Sequence, residues 1–302
     1  MMHVIFLLFF SLALYIGNAA VSIFLGILFA LTIKPEKTFI SRTIGTTPLQ
    51  IGIVILGATI SLPYAWSVSA SYLPWISLFV ISSFFAGLFL GKLLGIPQRL
   101  AFLLSAGAAI CGGTAMAAIA PIIKAKPQEL MTGMTIVFLL NAIAIIVFPM
   151  MGHYLGMTDF QFGAWSALAI HDTSSVIGSA LIYSDESAQV AATLKLGRTI
   201  WIIPLILITN WVFNRETEAT KFPRFILFFI IAIVINTLFN INSEILDIFK
   251  LLSQSFLILG LFCIGTQFQA QELKAINGRP LILALLIWFM VIPAAYFLVI
   301  HL

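Results

Sequence analysis

Charge is what this sequence has least of. Only 9% of its 302 residues are Asp, Glu, Lys or Arg, against about 25% in an ordinary soluble domain, while 61% are apolar. That balance excludes a soluble globular protein. The two cysteines, Cys111 and Cys263, both lie inside apolar stretches, so the chain has neither a disulfide framework nor a thiolate metal cluster. No metal or cofactor is expected. The formal charge is +4, but the cations are scattered in ones and twos, and no basic run exists that would grip nucleic acid. The first 31 residues also lack the basic n-region and the cleavage site of a secretory signal, and their apolar run is far too long for one. They read as a retained anchor.

Long apolar runs are what the sequence has instead. Runs bounded by charge, Pro and Gly place spans near 4–32, 48–63, 72–93, 100–123, 130–151, 161–182, 190–213, 222–240, 250–270 and 281–301. The first run serves as one tilted helix or as two short ones hinged at Gly17 and Asn18, which makes ten spans the expectation and eleven the alternative. These runs are twice the length of a barrel strand, and isolated strands leave their backbone unsatisfied in lipid. The expected fold is therefore all-α and polytopic.

The loop cations orient it. Lys34, Lys37, Arg42, Lys92, Arg99, Arg215, Lys221, Arg224, Lys274 and Arg279 fall in one set of alternate loops, against Lys124, Lys126 and Lys250 in the other. The richer set faces the cytoplasm, so the C-terminus lies outside. Five spans per half, residues 1–152 and 153–302, would give two inverted five-helix repeats, as in many secondary transporters. A register supports this: Cys111-Gly112-Gly113-Thr114 and Cys263-Ile264-Gly265-Thr266 share C-x-G-T at a separation of 152 residues. The same shift superposes five span positions.

Two constellations carry chemistry. Paired glycines at 112–113 weaken a membrane helix, and a break there would turn the amides around Thr114 toward an anion at mid-membrane. Gly265, Thr266 and Gln267 would repeat the device, the two broken helices crossing to share one site. The alternative is that these small residues only let helices pack closely. The second constellation is His171-Asp172-Thr173-Ser174-Ser175 in the middle of an apolar run, with Lys195 and Arg198 three apart on one face of the next span. Intramembrane charges are costly and face partners or water. They form either a substrate site or a salt bridge from Asp172 to Lys195 or Arg198. Of eleven acidic residues only Asp172 lies within a span, where a cation antiporter would need more, so an anionic substrate is favoured. His171 serves either in proton coupling or in packing. A hydrolase reading would pair Cys111 or Ser174 with His171, but no orienting group beyond Asp172 is evident.

The segments GAAICGGTAMAAIAPIIKAKPQE (107–129), HDTSSVIGSA (171–180) and KLGRTIWIIP (195–204) resemble the bacterial sulfate exporter (YeiH-type) family of multispanning proteins, with Thr114 where that family is expected to carry Ser. The resemblance runs from about residue 50 to the end. It implies a relationship to the cation-proton antiporter and anion transporter superfamily, with inverted five-helix repeats and crossing broken helices.

The expectation is thus a secondary transporter of the inner (cytoplasmic) membrane, not an enzyme, that carries a small anion such as sulfate or a related sulfur oxyanion or organic anion by alternating access. Cys111, Gly112, Gly113, Thr114, His171, Asp172, Lys195, Arg198, Gly265, Thr266 and Gln267 would form its site. Its partners would be the lipid bilayer, a proton or sodium as coupling ion and, for some assemblies, a second copy. A passive anion channel is the runner-up and a membrane-embedded hydrolase the alternative outside transport. The cation asymmetry makes loops 34–47, 94–99, 214–224 and 271–280 cytoplasmic, and 124–129 and 183–189 external. A cysteine introduced at Glu186 should react with a membrane-impermeant thiol reagent on intact cells, and one at Glu218 should not; reversed labelling would overturn the orientation.

Overall fold

A computed structural model describes residues 2–33, 39–44, 47–213, 224–239, 241–266 and 278–302. Among these residues it is helical without strands. Five helices are long and apolar enough to cross a membrane: Leu62–Leu93, Gln128–Tyr154, Asp185–Val212, Ser243–Thr266 and Gly278–His301. Shorter apolar helices accompany them. The chain divides into two compact units, each drawing on both halves of the sequence: Met1–Trp66 with Pro223–Gln271, and Ser67–Phe222 with Glu272–Leu302.

The first unit opens with α1 (Met2–Ile16) and α2 (Ala19–Ile33). Gly17 stands between them at φ +63°, a left-handed value that only glycine adopts without strain, and the chain folds back on itself. Phe6, Phe29, Phe39 and Phe262 close the hairpin with ring centroids 5.4–6.4 Å apart. The first apolar run is therefore two helices and not one tilted span. After α3 (Ile40–Ile44) and α4 (Thr47–Gly57), the unit is completed by two later helices, numbered α13 (Arg224–Phe239) and α14 (Ser243–Thr266) in chain order.

Small and hydroxylated residues hold α14 against α2 and α4. Ser22 Oγ donates to the carbonyl of Ile258 at 2.7 Å, and Ser253 Oγ to that of Gly52 at 2.9 Å. A Cβ on Gly265 would lie 2.4 Å from the Ile23 carbonyl oxygen and 2.9 Å from Gly26 Cα. Such contacts let helix backbones approach where lipid supplies no hydrophobic drive. The expected interruption at 263–266 is absent, because α14 runs unbroken through Cys263, Ile264 and Gly265 to Thr266. The physical reason is the second residue of C-x-G-T. Gly112 occupies it in the first copy, whereas Ile264 is β-branched and holds no left-handed backbone. Gln267 lies outside the described residues.

The second unit contains α5 (Leu62–Leu93, from Ser67 onward), α6 (Gln98–Ala109), α7 (Gly113–Ile119), α8 (Pro127–Tyr154), α9 (Asp159–Ala169), α10 (Thr173–Tyr183), α11 (Asp185–Thr199), α12 (Ile202–Phe213) and α15 (Gly278–His301). Local signals start several of them. Thr158 and Gln161 form a capping box at α9, and Ser184 Oγ accepts the Ser187 amide at α11. The runs 100–123 and 161–182 are each two helices, split at 110–112 and 170–172.

The glycine packing of the first unit yields a test. Gly265→Ala should cost roughly 1–3 kcal/mol through overpacking against backbone atoms that have no room to move. Gly197→Ala, which meets nothing within 4 Å, should be neutral or slightly stabilising. Thermal unfolding of the two purified variants checks both, and equal stability would refute the packing role.

Candidate functional site

An interrupted helix leaves backbone groups without partners, and at membrane depth no water answers them. Every one of these groups on the carbonyl side is answered here by a named donor. At the end of α6, the Ala106 carbonyl accepts the Ile110 amide (3.1 Å) and that of Gly107 the Gly112 amide (2.8 Å). Ala108 and Ala109 then accept the guanidinium of Arg198 through Nη2 and Nε, both at 2.7 Å. At the end of α9 the same guanidinium turns its Nη1 to the carbonyls of Ala167 (3.2 Å) and Leu168 (2.6 Å). Trp288 Nε1 donates to Ala169 (3.2 Å), and Lys195 Nζ donates to Ile170 (2.7 Å).

Arg198 thus closes two helices at once. Its side chain is 0% exposed, four of its five N–H bonds are spent on carbonyls, and the Phe79 ring lies 5.7 Å from its carbon, within cation-π range. The electrostatics agree with the geometry. Each helix C-terminus carries about half a negative charge, so two of them match one guanidinium. Lysine could not replace it, because only the planar fork directs donors to two chains in a fixed plane.

The amino ends of the second half-helices meet on the other side of the breaks. Gly112 adopts φ +65° and ψ −127°, a conformation restricted to glycine. A Cβ there would lie 3.2 Å from Asp172 Cβ and 3.3 Å from Val137 Cγ1, so the two breaks touch. Asp172 caps α10, its Oδ2 accepting the Ser175 amide at 3.1 Å and the Ser175 hydroxyl at 3.2 Å. Gly112 brings no side-chain cap to α7, and Thr114 in the first turn is exposed. His171 is 1% exposed. Neither ring nitrogen makes a hydrogen bond of good geometry; the Ala108 backbone is the polar group within reach of the ring, and the Trp288 ring is 6.4 Å away.

Of the residues singled out from the sequence, Cys111, Gly112, Gly113, Thr114, His171, Asp172, Lys195 and Arg198 all lie at these two breaks in the second unit. Lys195 and Arg198 share one face of α11, as their spacing predicts. The salt bridge from Asp172 to either of them is not formed: among the described residues the ion pair present is Lys250–Asp247 at 3.2 Å. Gly265 and Thr266 belong to the first unit, where Thr266 Oγ1 sits 2.8 Å from Ser41 Oγ and 2.7 Å from the Cys263 carbonyl. No hydrogen bond joins His171 to Cys111 or Ser174, so the nucleophile–base pair of a hydrolase is not assembled among the described residues. Sequence reasoning missed Trp288 and placed the second break wrongly. A signal for the true one was present, because Asp172-Thr-Ser-Ser175 reads as a helix N-cap.

A family model described as conserved hypothetical protein 698 matches residues 4–284. A Bacteroides thetaiotaomicron protein named UPF0324 membrane protein is 36% identical over 273 residues, covering 90% of this chain and 83% of its own. A Shewanella oneidensis protein of the same name is 37% identical over 240 residues (80% and 76%), and one from Vibrio vulnificus 36% over 281 (91% and 90%). No solved structure matches the chain significantly.

Removing the shared cap should be costly. Arg198→Gln leaves several buried carbonyls unanswered at about 1–3 kcal/mol each, so a loss above roughly 3 kcal/mol is expected in unfolding of the purified protein. Arg198→Lys should recover only part of it. Adding Asp172→Asn should restore nothing, since no pair exists to relieve; rescue by the double change would show that the two charges balance each other after all.

Proposed function

The chain belongs to the conserved hypothetical protein 698 family of membrane proteins, and on that premise we propose that it is a secondary transporter that moves a small anion across the inner membrane by alternating access. The observation that carries this reading is the charge left over at the breaks. Arg198 offsets the two carbonyl ends, and Asp172 offsets the positive amino ends of α7 and α10. Lys195, 0% exposed, donates to a single carbonyl, which leaves two N–H bonds that a bound anion would meet, and the anion would in turn hold the ammonium charged. An uncancelled cation beside helix amino ends is the environment an anion seeks.

Cys111, Gly112, Gly113 and Thr114 would supply backbone and hydroxyl contacts, Lys195 the charge, and His171 with Asp172 the coupling to a proton or to sodium. Ten spans arranged as two inverted five-helix repeats are part of the proposal, as is a homodimer. So are the absence of enzymatic activity and the kinship with sulfate exporters and with the cation-proton antiporter and anion transporter superfamily. Sulfate, related sulfur oxyanions and small organic anions are the substrate class. The broken helices favour a carrier over a passive channel, because discontinuous helices whose ends meet at a polar cluster are the way alternating-access carriers build a substrate site.

Counterflow in proteoliposomes tests it. Internal unlabelled anion should accelerate uptake of labelled anion, with saturation, and Lys195→Gln should lower that uptake at least tenfold while the protein stays folded. Flux that rises linearly without counterflow would make it a channel. No anion flux under any gradient would overturn the reading.

A further inference from the structure

Besides His171, two polar side chains in the second unit are buried without a hydrogen-bond partner for a donor, Ser179 at its hydroxyl in α10 and Asn141 at its amide nitrogen in α8. Asn141, 2% exposed, has no hydrogen-bond partner for Nδ2. A buried amide nitrogen without a partner is costly, so its place in α8 needs a reason. The face of α8 that carries it supplies one. Val137, one turn before, touches the Gly112–Asp172 contact. Phe148, two turns after, stacks on Trp288 at 5.8 Å, the ring that His171 faces. Asn141 thus lies on the same face between the two sides of the break, with His171 as the second unanswered polar group there.

We propose that Asn141 and His171 supply the neutral hydrogen bonds to the transported anion, and that this anion carries a single negative charge, which sets sulfate itself aside and narrows the substrate class to singly charged sulfur oxyanions and organic anions. The inference rests on the anion-transport reading above. Among the described residues the only buried side chains with full charge in this unit are Lys195 and Arg198, with Asp172 partly buried. Arg198 is consumed by four carbonyl contacts, and Asp172 by the amino end of α10. One positive charge remains, and it matches a monoanion. A dianion would leave one charge uncompensated at membrane depth. The neutral donors then serve selection: an amide and an imidazole recognise acceptor oxygens without adding charge.

The test is thermal stabilisation of the detergent-purified protein at pH 8 by formate and nitrate against sulfate and oxalate, which differ in charge and are all fully ionised. Formate and nitrate should bind at least tenfold more tightly. Asn141→Leu, of similar volume, should unfold no earlier than the parent without ligand and bind formate about tenfold more weakly, the loss of roughly one buried hydrogen bond. His171→Phe, which keeps the ring beside Trp288, should behave likewise. Tighter binding of the dianions would overturn the charge assignment and leave anion transport standing. Unchanged formate affinity in both variants would overturn the residue assignment, and so would unfolding of both, since the two groups would then hold structure. If none of the four anions binds the parent protein, the transport reading itself fails.

Discussion

Everything in the second unit depends on the guanidinium of Arg198. A helix can stop in the middle of a membrane only if its last carbonyls find donors, and here two helices stop side by side and share one. The sharing fixes their ends relative to each other more tightly than packing of alanines would, because α6 ends in Ala108-Ala109 and alanines flank Leu168 at the end of α9. Small residues at the ends also let the backbone come within reach of a side chain from α11. The composition of the breaks and the identity of the cap are thus one constraint.

That constraint sorts the charges. Carbonyl ends and cation lie on one side, amino ends and Asp172 on the other, and the break separates them. Lys195 sits one turn from Arg198 on the same helix but makes a single contact. Two basic residues of similar burial therefore differ in what they leave over. Which of them is structural and which is available cannot be read from spacing, because i and i+3 describe a shared face and not what that face meets.

Other features were legible for definite reasons. The five long apolar helices follow from hydropathy, and the break at 112 follows from paired glycines in an otherwise unbroken apolar run. The matching break at 263–266 was not there, although four letters repeat. Glycine has two uses in membrane helices, to bend the backbone and to bring another backbone close. Gly112 does the first at φ +65°, and Gly265 does the second against Ile23 and Gly26. Sequence alone does not separate them unless a neighbour such as Ile264 forbids the bend. The hairpin at Gly17 shows the converse: an apolar run of uniform character conceals a turn when one glycine supplies it. Trp288 was unreadable, because its indole answers a carbonyl 119 residues away.

That last distance bears on how the protein is made. The chain is synthesised from its amino end, and α9 is made before the residues that complete it exist. Ala167 and Leu168 wait for Arg198, Ile170 for Lys195, and Ala169 for an indole in the final helix. Until α11 is made, the end of α9 carries bare carbonyls that need water or another partner, and one of them, that of Ala169, still waits after it. The helix that carries Trp288 therefore supplies the last of these donors, and a chain halted before residue 288 leaves the Ala169 carbonyl unanswered.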